Sequence, residues 1–323
     1  MRAPDEILAP AEPTVRETRG RVVLAFVAIY LIWGSTYFAI KVAIDTLPAL
    51  LMAGTRFIVA GAVLWMLAPG DRNVDPTKRD WLWAFILGAF LLLAGNGIVS
   101  VVESKMPTSV TALLITSVPL WMVLVEWATG GGRPKLLAVA GILLGFGGVA
   151  LLAGEEGGWA GGKVDPLYVV AILFGSLCWA TGSILSRRGD IKLPILRSVA
   201  IQMVAGGVLL SAAGFLRGEW ATLDLANASW ASLGAWAYLV VFGSVIAFSA
   251  YSWLLTVRPS AMVSTYAFVN PVVAVVLGAL FLDEPVGPRS LLAGALIVAA
   301  VALVVYAKTR ASRTSPSSPA PAK

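Results

Sequence analysis

The chain contains no histidine and one cysteine, Cys178. Those absences remove intramolecular disulfides, zinc clusters built from His and Cys, and every catalytic arrangement that relies on imidazole. Charge is scarce as well. Only 13% of the 323 residues are Asp, Glu, Lys or Arg, about half of the roughly 25% typical of a soluble domain, which leaves too little polar surface to hold the chain in water. With 58% of residues hydrophobic and a mean hydropathy of +0.84, lipid is the expected solvent.

Apolar runs close to the roughly 20 residues needed to cross a ~30 Å hydrocarbon core recur along the chain. They cover residues 22–42, 48–67, 82–102, 107–128, 136–153, 167–185, 193–215, 233–255, 259–282 and 290–307, ten in all. None alternates with the dyad period of a barrel strand, and a lipid-exposed backbone must satisfy its own hydrogen bonds, so helices are expected throughout. The first run follows a polar, mixed-charge stretch, exceeds a signal-peptide core in length and ends without a small-residue cleavage pattern, which predicts a retained helix.

A net charge of +6 would suggest nucleic acid in a soluble protein, but basic residues beside membrane spans report orientation instead. Seventeen of the 24 Lys and Arg fall on the face that carries the N-terminus and five on the other, with Arg56 and Arg197 inside spans. The positive-inside rule then puts both termini in the cytoplasm of a multi-pass inner-membrane protein.

The second half also repeats the first. Trp33 aligns with Trp179, Leu47-Pro48 with Leu193-Pro194 and Gly61 with Gly207, each 146 residues apart; Pro107 with Pro259 and Pro119 with Pro271 are 152 apart. A unit of five spans is odd, so its second copy crosses the membrane in the opposite sense. The predicted fold is all-α, ten transmembrane helices forming two inverted-topology five-helix repeats. The parts are an N-terminal tail (1–20), a first repeat (21–154), an outer connector (155–165), a second repeat (166–307) and a disordered basic tail (308–323).

Several stretches resemble one family. Ile32-Trp33-Gly34-Ser35-Thr36-Tyr37, Arg56-Phe57, Pro259-Ser260-Ala261, Tyr266 through Ala274 and Leu280 through Pro285 are similar to the drug/metabolite transporter superfamily in its ten-helix EamA-type branch, over residues about 21 to 307. Asp283 stands where that family's pattern has glycine, and the end of span four lacks a match to Glu284. The resemblance implies a bacterial inner-membrane exporter of amino acids, related metabolites or drugs, often driven by the proton gradient.

Arg56 begins roughly 12 Å inside its span at about 1.5 Å per residue. A charge at a helix centre costs about 2.5–3.5 kcal/mol even on lenient insertion scales, so it is expected to face the bundle interior. Its guanidinium would hold an anionic group such as a carboxylate, pair internally with Glu103, or snorkel. The residue aligned with it, the uncharged Gln202, is a candidate for the same substrate site. Trp33 and Tyr37 with Trp179, and the midspan groups Asn96, Tyr251, Tyr266 and Asn270, are the other candidates for lining a small-molecule cavity, against a plain packing role. Glu103 and Glu126 are the proton-coupling candidates; the alternative for both is a solvated carboxylate at the interface. Pro119 and Pro271 predict helix bends, because each removes a backbone donor.

Other features read as structural. Gly141 and Gly145 have the spacing of a close helix contact within or between protomers, Gly130-Gly131-Gly132 lacks the Lys-Ser/Thr of a phosphate loop, and Asp71, Asp75 and Asp80 form a solvated connector. No cofactor or metal is implied, and no Walker motif is present. The leading function is a secondary transporter, an exporter by alternating access, whose partners are a small-molecule substrate and the bilayer, with no nucleic acid, working as a monomer or homodimer. A lipid or lipid-linked-intermediate flippase is the alternative. A membrane-embedded transferase needs His-Asp pairs or clustered carboxylates against the bilayer, which this sequence lacks.

Overall fold

The structure, a computed structural model, describes residues 19–68, 75–130, 133–134, 136–153, 165–188, 193–258, 260–283 and 287–314. Residues 1–18 of the expected terminal tail 1–20, most of the connector 155–165, Asp71, Glu284 and residues 315–323 lie outside the described residues.

The described chain is helical. In the first half α1 is Arg19–Ala43, α2 Ala49–Leu67, α3 Lys78–Val102 and α4 Thr108–Ala128, and α5 Leu136–Ala153. In the second half α6 is Pro166–Arg188, α7 Ile195–Leu216, α8 Trp230–Val257, α9 Tyr266–Phe281 and α10 Pro288–Thr314. Among the described residues, α1 to α4 and α6 to α8 are long and apolar enough to cross a membrane, while α5, α9 and α10 carry shorter apolar stretches.

Local chemistry sets the helix starts. Pro48 and Pro194 occupy the same position before α2 and α7, both in extended backbone; a residue with no N–H and a fixed φ suits a helix start, where the first donors have no intrahelical partner. Before α3, Thr77 and Asp80 form a capping box: the Thr77 hydroxyl accepts from the Asp80 N–H, and the Asp80 carboxylate accepts from the Thr77 N–H at 2.9 Å. Asp80 is therefore buried rather than part of a solvated acidic connector. At the other end of the chain, α10 continues to Thr314, so Lys308, Arg310 and Arg313 lie on the helix and not in a tail beginning at 308.

Packing follows the sequence repeat. The α2 helix lies along α7, and α5 along α10; α1 packs on α8 and α9, and α6 on α3 and α4. Exchanging the first five helices for the last five maps α2/α7 and α5/α10 onto themselves and the pairings of α1 onto those of α6. Small residues permit the closest approach: a Cβ on Gly207 would sit 2.7 Å from the carbonyl oxygen of Gly54, so these backbones touch as small-residue crossings do. The predicted Gly141/Gly145 contact is within the chain, where Gly145 faces Leu120 and Ala300.

Two irregularities also match. Inside α3, residues Gly88–Gly97 are π-helical, and inside α8 so are Leu239–Phe248. Such widened turns leave carbonyls available to side chains and occur frequently at functional sites. The α4 helix is interrupted at Thr116 and Ser117, with Pro119 in the first turn that follows. A single helical turn, Ser260–Val263, precedes α9 and is separated from it by Ser264 and Thr265, with Pro271 inside α9.

Candidate functional site

A small cavity of about 70 Å³ lies between the halves, lined by aromatic side chains with a few polar groups as small-molecule sites are. Seven of the residues expected to line a site meet here: Trp33 and Tyr37 from α1, Arg56 from α2, Asn96 from α3, Trp179 from α6, and Tyr266 and Asn270 from α9.

Arg56 is the only Asp, Glu, Lys or Arg in the lining and is 2% exposed. Its Nε donates to Ser244 Oγ at 2.8 Å, its guanidinium carbon lies 4.6 Å from the centre of the Phe57 ring, and Nη1 has no partner. The expected alternative, an internal salt bridge to Glu103, is not formed. The π-helical turn of α8 passes close to the group: a Cβ on Gly243 would lie 2.9 Å from Arg56 Nη2, so any larger residue there would displace the end of the guanidinium. The same Gly243 offers its carbonyl to Trp33 Nε1 at 3.3 Å. Thus the second half holds two side chains of the first.

Three further polar atoms of lining residues have no hydrogen-bond partner, Asn96 Oδ1, Ser176 Oγ and Trp179 Nε1. The Asn270 carboxamide faces the backbone carbonyls of Tyr30 and Tyr266, and with its nitrogen turned toward them it donates to both, at 3.0 and 3.2 Å. That ties α9 to α1.

Beneath the cavity, five rings from both halves form one cluster. Trp33 packs on Tyr251 at 4.8 Å, on Tyr266 at 5.1 Å and on its repeat counterpart Trp179 at 5.6 Å, and Phe248 completes the set at 6.5 Å from Trp33 and 6.1 Å from Trp179. The Tyr251 hydroxyl shares a 2.7 Å hydrogen bond with Ser183 Oγ. Tyr251 lines a second cavity, of about 450 Å³, together with Gln202, Ser186, Arg187, Ser198 and Ser252. Gln202 and Tyr251 are therefore not in the Arg56 cavity, as the grouped expectation had them. The aromatic cluster stands between the two spaces, because four of its rings line the first and one lines the second.

The acidic candidates lie outside both linings. Glu103 is wholly buried, which corrects the solvated-interface alternative; its carboxylate accepts from Thr108 Oγ1 at 3.1 Å, and its backbone carbonyl from Lys41 Nζ at 2.6 Å. Glu126 is partly exposed near the end of α4. Sequence reasoning did not find Ser176, Gly243, Ser244, Phe57 or Phe248. The available signal was Arg56 itself, since a guanidinium deep in a span demands a polar neighbour.

Paired bundles of apolar helices around a buried cation and two cavities define a multi-pass membrane protein with an internal binding space, and among the described residues there is no cluster of three or more metal-ligating side chains. The chain belongs to the EamA-like transporter family, whose pattern matches residues 20–154 and again 166–306; this is a transporter family and not an enzyme family. It is 39% identical over 288 residues to the uncharacterized inner membrane transporter YedA of Escherichia coli, covering 88% of this chain and 90% of that one. Similarity also extends to the S-adenosylmethionine/S-adenosylhomocysteine transporter of Chlamydia muridarum, 28% identical over 86% of this chain and 90% of the relative. A solved crystal structure at 22% identity superposes with a TM-score of 0.66 over 91% of this chain and 99% of its own, which speaks for the fold.

Proposed function

We propose that the protein is a secondary transporter exporting small metabolites by alternating access, with ten spans in two inverted five-helix repeats and both termini in the cytoplasm. The observation that carries the reading is the pair of cavities on opposite sides of one aromatic cluster to which both halves contribute. Two halves with matching helix pairings can exchange conformations, and such an exchange opens a central site to each face in turn. Arg56 then sits in the cavity that faces outward and holds an anionic group of the substrate, while the Trp33–Trp179–Tyr251 layer closes the cytoplasmic route. The positive-inside count gives the direction of the axis. A relative that carries S-adenosyl compounds supports a small metabolite as the cargo.

Of the two acidic candidates, the buried Glu103 is the better placed for proton coupling, because it lies inside the bundle at the end of α3, whereas Glu126 is partly exposed near the end of α4. The test of export compares, by untargeted mass spectrometry, the small molecules outside cells that overproduce the protein with those outside cells carrying equal amounts of Arg56→Ala. A compound class rising only with the intact protein supports export through this cavity. Equal profiles from a folded, membrane-resident protein and an empty control contradict it.

A further inference from the structure

Charge balance in the Arg56 cavity narrows the substrate. The lining contains one cation and no carboxylate, and a guanidinium stays protonated in a protein. With Nε taken by Ser244 and Nη1 unpartnered and buried, Arg56 offers a directed donor to an oxygen anion, the geometry at which Arg excels. A second negative charge on the ligand would find no second cation, and a ligand ammonium would sit near a like charge with no carboxylate to receive it, only Asn96 Oδ1, Ser176 Oγ and ring faces. Asn96 Oδ1 instead calls for one neutral N–H or O–H. The remaining walls are flat and apolar, chiefly Trp33, Phe57, Trp179, Phe248 and Tyr266, and suit a planar body.

Resting on the transport reading above, we infer that this cavity takes an organic monocarboxylate with a planar apolar body, one neutral hydrogen-bond donor and no ammonium group. Zwitterionic amino acids of the same shape are poor ligands, and amines are excluded. Gly243 and Ser244 act as positioning residues: the first leaves room for the guanidinium and the second fixes its plane.

Three molecules sharing one indole body separate the charge classes: indole-3-propionate, tryptophan and tryptamine. Titrated by calorimetry into the full chain in lipid nanodiscs, indole-3-propionate is expected to bind at least tenfold more tightly than tryptophan, and tryptamine not to bind. Arg56→Gln is expected to weaken indole-3-propionate at least tenfold. Arg56→Lys, which keeps the charge without the fork, and Ser244→Ala are expected to weaken it less and to keep the order of the three. Tryptophan binding as tightly as indole-3-propionate, or no binding by any of the three at millimolar concentration, overturns the assignment. If export of a defined compound class persists in that event, the charge class is wrong and the transport reading stands; loss of both removes the transport reading as well.

Discussion

The two cavities are built from corresponding helices yet differ in chemistry. One takes Arg56 from α2 and Asn96 from α3; the other takes Gln202 from α7 and Tyr251 with Ser252 from α8. The pairs α2/α7 and α3/α8 are repeat counterparts, so at one matched position the shared backbone plan carries a cation on one side of the aromatic cluster and a neutral amide on the other, while the second lining draws a cation of its own, Arg187, from the end of α6. On the transport reading proposed above, the repeat would supply the machinery of exchange and selectivity would reside where the halves have diverged. Arg56 and Gln202 are that divergence.

Making the first cavity resemble the second is the strongest way to break the comparison. Arg56→Gln is expected to lower the transport rate of the native cargo more than tenfold, measured in vesicles with the protein's amount matched, while the protein still folds, because removing a buried charge also removes its desolvation cost. Damage to the shared scaffold is next. Gly54→Val drives a branched side chain into the α2/α7 crossing, where Gly54 faces Ser211 and Gly207, and overpacking of this kind costs about 1–3 kcal/mol; a lowered Tm in detergent checks it.

Smaller effects sharpen the picture. Tyr251→Phe leaves the ring cluster intact and deletes the hydrogen bond to Ser183, worth about 1 kcal/mol, or about fivefold in the barrier's opening equilibrium; thiol labelling of a reporter cysteine beyond the barrier reads it. Smallest is Asp283→Gly. Asp283 is the only non-glycine with positive φ among the described residues, at 52°, just after α9, a position where glycine is preferred for lack of a Cβ. The substitution is expected to raise stability by less than about 1 kcal/mol, seen as a small increase in Tm.

Much of the fold was legible because membrane helices leave a strong mark: long apolar runs, with Pro48 and Pro194 at matching starts. Arg56 was legible as a site residue for a similar reason, since its depth in a span had to be answered by something inside the bundle. What answers it was not legible. Ser244 becomes its partner only because α2 packs against the π-helical part of α8, and an apolar run reads the same whether its turns are α or π. The split of Gln202 from Arg56 was hidden too, because alignment of the repeats gives counterparts but not the side of the barrier each faces. Glu103 misled for the opposite reason: nearness to a helix end suggested water, whereas the loop after α3 folds Thr108 over its carboxylate.

The central claim, that the aromatic cluster separates two cavities opening to opposite faces, is tested most directly by sided labelling. Ser176→Cys reports the Arg56 cavity and Ser252→Cys the Gln202 cavity, each in a chain whose single native thiol is removed as Cys178→Ser. With a membrane-impermeant thiol reagent, the account predicts that the Ser176→Cys protein reacts faster in right-side-out vesicles and the Ser252→Cys protein faster in inside-out vesicles. Faster reaction of both variants from the same side would contradict it.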